Sequence, residues 1–197
     1  MLNNHFYAMM SRMKNIYRWG LMRNTKNENL SEHSLETAMI AHALAIINNS
    51  RFGGNVNPES AAVAAMFHDT TEIITGDMPT PIKYYNSEIK TAYKQIEKAA
   101  GETLTEMLPE DFRTYFKKIY EPDADTARLV KAADKISALI KCIEELNMGN
   151  REFLKAKASI EKSVADMHCP EADAFIAEFI PSFNLSLDEQ NSGGKNK

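Results

Sequence analysis

Cysteine is scarce in this chain of 197 residues. Its two cysteines, Cys142 and Cys169, form no CxxC pair, so neither a disulfide framework nor a thiolate zinc site is suggested. Cys142 is expected to be a packed or half-exposed thiol. Long apolar runs are missing too: none approaches the roughly 18 residues that a membrane span needs. The segment from Met1 to Gly20 carries Arg12, Lys14 and Arg18 among scattered apolar residues, without the continuous apolar core of a secretory signal. The expectation is a cytoplasmic protein with no membrane partner. A basic excess is also lacking. The formal net charge of -4 argues against polymeric nucleic acid, which usually requires a positive field over much of the surface, whereas a small phosphate ester needs only local cations.

Hydrophobic residues at 44% and charged residues at 25% are ordinary for a globular protein, and the length suits one domain with a real core. No internal repeat and no strand series is visible, which leaves an all-α fold as the expectation, with one domain over residues 1–190 and a frayed tail over 191–197. Phe6, Met9, Met10, Met13, Ile16 and Tyr17 recur at helical spacing and predict a first helix stopped by Gly20. Ser31 is the expected cap of a second helix reaching about Asn49, and Asn57 with Pro58 opens a third that runs to His68 or slightly beyond. Thr75 to Pro81, with two prolines and a glycine, is expected as a loop. Helical patterns follow over roughly 87 to 107, 109 to 119 and 125 to 148, then from Asn150 and from Pro170.

Against this helical background four side chains stand out. His68 and Asp69 end the alanine-rich run Ala61 to Phe67, His33 lies in the first turn of the second helix, and Asp134 interrupts the apolar pattern of the long later helix. A lone histidine on an apolar helix is usually a hydrogen-bonded core residue, and a lone helical aspartate usually faces solvent. Asp134, however, is a poor helix former and is costly if buried without a partner, a penalty that a cation removes. Two imidazoles and two carboxylates suit one divalent transition ion with open positions, drawn from Co, Mn, Zn, Fe or Cu. His42 is nine positions beyond His33, nearly on the opposite helix face, and is left out.

The order H…HD…D resembles the HD superfamily of metal-dependent phosphohydrolases, and more closely the bacterial 5′-deoxynucleotidases of the YfbR type. The resemblance runs from His5-Phe6 to the segment ending at Glu189. It is carried by Arg18-Trp19, Leu21 to Asn24, Ser31 to Leu35, Phe52 to Asn57, His68-Asp69 and Gly76 to Pro81. The region around Glu121 to Asp125 is slightly shortened relative to that family, and Gly20 stands where proline is expected.

That resemblance implies an all-α HD fold, a homodimer, and hydrolysis of deoxyribonucleoside 5′-monophosphates to deoxyribonucleosides and phosphate. It also implies that His33, His68, Asp69 and Asp134 bind the metal, that Arg18, Trp19, Asp77, Met78, Pro79 and Thr80 contact the nucleotide together with Asp69 and Asp134, and that Glu72 is catalytic. The residues support parts of this independently. A divalent ion lowers the pKa of a bound water from about 15.7 toward about 7 and holds a phosphate oxygen. Glu72 shares a face with His68 and Asp69 if the third helix continues past them, which makes it the acid/base candidate; otherwise it is a solvated glutamate. Arg18 offers a planar fork for phosphoryl oxygens. Trp19, the only tryptophan, is by itself a packing residue, but in this family it is placed to obstruct a 2′-hydroxyl. Lys83 is expected to be solvated. The competing readings are an HD phosphohydrolase acting on nucleoside triphosphates or cyclic nucleotides, and a noncatalytic helical interaction module stabilised by metal.

Overall fold

The structure, a computed structural model, describes residues 4–83 and 85–192, and among these it is helical without a strand. In chain order the helices are α1 (Phe6–Met10), α2 (Leu30–Arg51), α3 (Pro58–Phe67), α4 (Glu72–Thr75), α5 (Thr80–Lys83), α6 (Ser87–Glu106), α7 (Glu110–Tyr120), α8 (Ala124–Asn147), α9 (Leu154–Ala165), α10 (Pro170–Phe179) and α11 (Leu187–Ser192). Of the expected tail, Asn191 and Ser192 continue α11, and Gly193 to Lys197 lie outside the described residues.

Local chemistry sets the helix starts. Asn57 accepts a hydrogen bond from the backbone N–H of Ser60 with Pro58 at the first helical position, Asn86 accepts from Ile89, and Asp123 accepts from both the N–H and the hydroxyl of Thr126. Each such cap contributes about 1 kcal/mol. At α2 the cap is Asn29 rather than the expected Ser31. Asn29 accepts from the N–H groups of Ser31 and Glu32, and the Glu32 carboxylate accepts in return from the N–H of Asn29, so that two orphan ends of the helix are satisfied at once.

The expected first helix is shorter than its periodicity suggests. After α1 the chain tightens into a 3-10 turn over Ser11–Asn15 and then runs extended, with the N–H of Arg18 donating to the Glu28 carbonyl at 2.9 Å and that of Leu30 to the Ile16 carbonyl at 3.0 Å. Pairing across this distance satisfies backbone groups that a continued helix would otherwise use. In this segment the left-handed backbone is at Trp19, φ 60°, and not at Gly20.

α2 lies against both α3 and α8, and α3 against α8. Their shared core contains Ala41, Leu44, Ala45, Ala61, Ala65, Leu129, Ala132, Ala133, Ile136 and Ile140, all nearly inaccessible. The leucines and isoleucines each contribute about 1.5–3 kcal/mol by leaving water. The alanines let the helix axes come close, so that short side chains from three helices can meet. Phe6, Leu104, Leu108 and Phe116, with Phe67 against them, make a second cluster that holds α1, α6 and α7.

Candidate metal centre

His33 is on the first turn of α2, His68 and Asp69 directly follow α3, and Asp134 is on α8, so the mutual packing of these three helices decides whether the four can meet. They do meet. Each offers a ligand atom, and these atoms all lie within 4.8 Å of one another. The Nε2 atom of His33 is 3.2 Å from Asp134 Oδ1 and 3.5 Å from Asp69 Oδ2, and the Nε2 atom of His68 is 3.2 Å from Asp69 Oδ2 and 3.9 Å from Asp134 Oδ1.

The end of α3 shapes this site. The Ala65 carbonyl accepts from both the backbone N–H and the ring Nδ1 of His68, and the Thr70 hydroxyl donates to the Phe67 carbonyl. Side-chain donors that take the last carbonyls end a helix. The helix therefore ends at His68, within the expected bound, the condition that would put Glu72 on its face is not met, and Glu72 opens a separate turn, α4.

Whether a cation suits these residues is answered by His68. Its Nδ1 faces a carbonyl oxygen, which can only accept, so Nδ1 carries the proton. In the neutral ring its Nε2 then presents a lone pair and is buried, with no hydrogen-bond partner among the described residues. A bare imidazole nitrogen beside two carboxylate oxygens is a donor set for a divalent transition ion. Burial opposes charge on His68, but the negative charges of Asp69 and Asp134 outweigh it and raise its pKa well above the ordinary value, while the two histidines hold both aspartates well below theirs against the same burial. In effect a proton compensates the carboxylates where a metal would.

Arg18 adjoins the cluster. Its guanidinium is 3.1 Å from Asp69 Oδ2 and 3.9 Å from Asp134 Oδ1, and its Nε donates to Glu28 Oε2 at 3.3 Å. The same Glu28 oxygen accepts from Trp19 Nε1 at 2.9 Å, and the Trp19 ring packs on Phe153 with centroids 5.3 Å apart. Trp19 thus holds a left-handed backbone because several contacts over-determine it. Glu72 is 5% exposed, and its Oε2 is buried without a partner among the described residues. Burial, with Asp69 and Asp77 adding to it, pushes the Glu72 carboxyl up to about 9.

Asp77 lies on the turn after Gly76, whose φ of 73° closes α4, and is near enough to Arg18 and Glu72 for its charge to act on both. Met78 and Pro79 follow, half-buried. Thr80 is exposed and opens α5, a helical turn where a loop was expected; Pro81 fits its start because the first turn has no use for the missing N–H. Lys83 is not the solvated lysine of the sequence reading: its ammonium pairs with Glu97 at 2.8 Å and sits 4.7 Å from the Tyr93 ring centre. Cys142 and Cys169 are buried free thiols.

Three acidic or hydroxyl residues escaped the sequence reading. Glu28 gives no local signal, since it reaches Arg18 and Trp19 only through the loop pairing. Ser137 and Glu36, which connect to His33, each follow a ligand by three positions on its own helix, and that spacing was available.

These helices and this cluster define the class. The fold is that of the HD-domain phosphohydrolases: it aligns with an HD-domain phosphohydrolase from Listeria innocua at TM-score 0.79 and 20% identity, over 95% of this chain and 92% of that one. A cyanophage S-2L HD phosphohydrolase bound to dA and one catalytic Zn2+ ion aligns at TM-score 0.64 and 18% identity, over 89% and 95%. Within that class the chain belongs to the 5′-deoxynucleotidase YfbR-like family, which matches residues 5–183. Proteins named 5′-deoxynucleotidase from Erwinia tasmaniensis and Yersinia pestis are similar to it at 53% and 54% identity, the first over 96% of this chain and 97% of its own, the second over 94% and 96%.

Proposed function

We propose that this protein is a metal-dependent 5′-deoxynucleotidase, hydrolysing deoxyribonucleoside 5′-monophosphates to deoxyribonucleosides and phosphate. Family membership and relatives of that name at more than half identity support the reaction. The observation that carries the mechanism is the convergence of His33, His68, Asp69 and Asp134 beside Arg18 and a buried, unpartnered Glu72.

In this reading the two histidines and two aspartates hold one divalent ion. When bound, such an ion activates water at neutral pH and polarises a phosphoryl oxygen. Arg18 stands at the edge of the ligand set, so its guanidinium meets the phosphate and neutralises charge on the non-bridging oxygens. Glu72, nearly buried and with no partner for Oε2 among the described residues, exchanges a proton with the reacting oxygens. Trp19, fixed by Glu28 and Phe153, occupies the space that a 2′-hydroxyl needs, and Asp77 accepts a hydrogen bond from the sugar. Met78, Pro79 and Thr80 extend that wall.

Zinc is one candidate ion, supported by its presence in the cyanophage fold neighbour; Co, Mn, Fe and Cu suit the same donors. No helix of the described residues is long and apolar enough to cross a membrane, and with the net charge of -4 this supports a cytoplasmic enzyme for small nucleotides rather than polymeric nucleic acid. Leu35, Met39 and Ile46 form an exposed apolar stripe on α2, which supports a homodimer.

The test is phosphate release from matched 5′-deoxyribo-, 5′-ribo- and 3′-monophosphates, after chelation and after re-addition of single metals, with Asp69→Asn as control. The expected pattern is release from 5′-deoxyribonucleotides alone, only with metal, and none from Asp69→Asn. Equal release from 5′-ribonucleotides would remove the sugar assignment, and release from no monophosphate would remove the function.

A further inference from the structure

His33 is fully buried, and the partner of its outer nitrogen is another side chain. Nδ1 is 3.0 Å from the hydroxyl of Ser137, itself fully buried, and that hydroxyl donates to Glu36 Oε2 at 2.6 Å. We infer that Ser137 and Glu36 form a two-residue relay that locks His33 in the tautomer with a bare Nε2, and so act as positioning residues for the cation.

The argument is a count of protons. A serine hydroxyl has one proton, and an ionised carboxylate can only accept; burial raises the Glu36 pKa above its ordinary value, and the hydrogen bond from Ser137 works against that rise by favouring the ionised form. An O–H to O distance of 2.6 Å lies in the range of hydrogen bonds to a charged oxygen. With its proton committed to Glu36, the Ser137 oxygen can only accept from His33, so the imidazole proton sits on Nδ1 and the lone pair of Nε2 faces Asp69 and Asp134, with the Thr37 hydroxyl 3.5 Å away at the edge of the same nitrogen. Glu36 itself borders a cavity of about 140 Å³ shared with Glu28, Glu144 and Lys141, so one side of its carboxylate has room for water. His68 obtains the same tautomer from the Ala65 carbonyl, which no substitution of a side chain removes. The His33 tautomer depends on two residues that can be changed.

A neutral amide at position 36 reverses the chain: it can donate to Ser137, which then donates to Nδ1 and leaves the proton on Nε2, where it blocks the ion. Removing such outer partners commonly weakens metal binding by about 10–100-fold. The inference rests on the metal reading of the site but not on the choice of substrate, so its test contains no nucleotide.

The experiment is calorimetric titration of Co2+ into chelator-stripped protein, for the unaltered chain, Glu36→Gln, Ser137→Ala and the double variant, with the melting temperature of each metal-free protein as a folding control. Both single variants should bind Co2+ about 10–100-fold more weakly. The double variant should be no weaker than the weaker single one, because the two residues act in series. Co2+ binding by either folded single variant at the unaltered affinity overturns the inference, as does full additivity in the double variant. Glu36→Gln is nearly isosteric and half-buried, so it decides the matter alone if Ser137→Ala fails to fold. A normal result for phosphate release with the wrong sugar would sink the substrate assignment and leave the relay standing; absence of Co2+ binding by the unaltered chain would sink both.

Discussion

Glu72 carries the most specific chemical expectation of any single residue. Its carboxyl is buried near Asp69 with no hydrogen-bond partner on Oε2 among the described residues, an arrangement that stability alone disfavours and that suits a proton carrier. Glu72→Gln should lower kcat by about 10²–10⁴-fold, the usual worth of a general acid or base, while Co2+ affinity changes little. Unchanged turnover would remove Glu72 from the mechanism. Trp19 makes a different claim. Trp19→Ala should reduce the preference for deoxyribo- over ribonucleotides by about tenfold or more, since an apolar wall alone rejects an added hydroxyl about a hundredfold. An unchanged ratio of kcat/KM for the two sugars would contradict the steric role.

At the scale of elements, the loop from Trp19 to Asn29 is the part of the site that most needs an anchor, and α8 provides one. Glu145, 1% exposed, accepts from the N–H groups of Thr25 and Lys26, the Thr25 hydroxyl, Asn150 and the ammonium of buried Lys141, which in turn donates to the Lys26 carbonyl. Glu145→Ala strips one partner from a buried ion pair and should cost about 3–5 kcal/mol of stability. Because the loop begins at Trp19 and holds Arg18 through Glu28, KM for nucleotide should rise in any folded preparation. Denaturant unfolding that shows a loss below about 1 kcal/mol would contradict this anchoring role.

The elements also show what was legible beforehand. Asn57-Pro58 and the turn at Gly76 announce themselves through neighbours in sequence, and the metal ligands through side chains that an apolar helix tolerates poorly. Lys141 and Glu145, four apart on one helix, give no local signal of burial; only the fold buries them. The early end of α1 was equally hidden, because the pairing of Ile16 and Arg18 with Leu30 and Glu28 is not written in the periodicity of Phe6 to Tyr17. Ser31, the expected cap, lies two residues inside the true start, since Asn29 and Glu32 complete a reciprocal pair that Ser31 does not.

For the whole molecule, the buried acids set the response to pH. Glu171, 1% exposed, is held by Arg128, which donates at 2.8 and 2.9 Å, and then by Asn48 against the penalty of burial; its pKa falls from 4.5 to about 2. A carboxylate that is more acidic in the folded chain contributes stability fully above its unfolded pKa, and loses that contribution as pH falls from about 4.5 to about 2. The contribution is about 3 kcal/mol. Glu145 is also depressed by its partners and adds in the same direction. Thermal unfolding of the metal-free protein should therefore shift to lower temperature over that window, and Glu171→Gln should be less stable at pH 7 with a shallower loss in acid. A melting temperature in Glu171→Gln equal to that of the unaltered chain at pH 7 would contradict the burial of this ion pair.

The convergence of three helices on one cation is tested most directly by titrating Co2+ into the stripped protein while following both the cobalt absorption band and phosphate release from deoxyadenosine 5′-monophosphate. The two signals should rise together and saturate at one ion per chain, and both should vanish in His33→Ala and His68→Ala. Phosphate release that persists in chelator, or cobalt absorption retained without His33 and His68, would contradict the account.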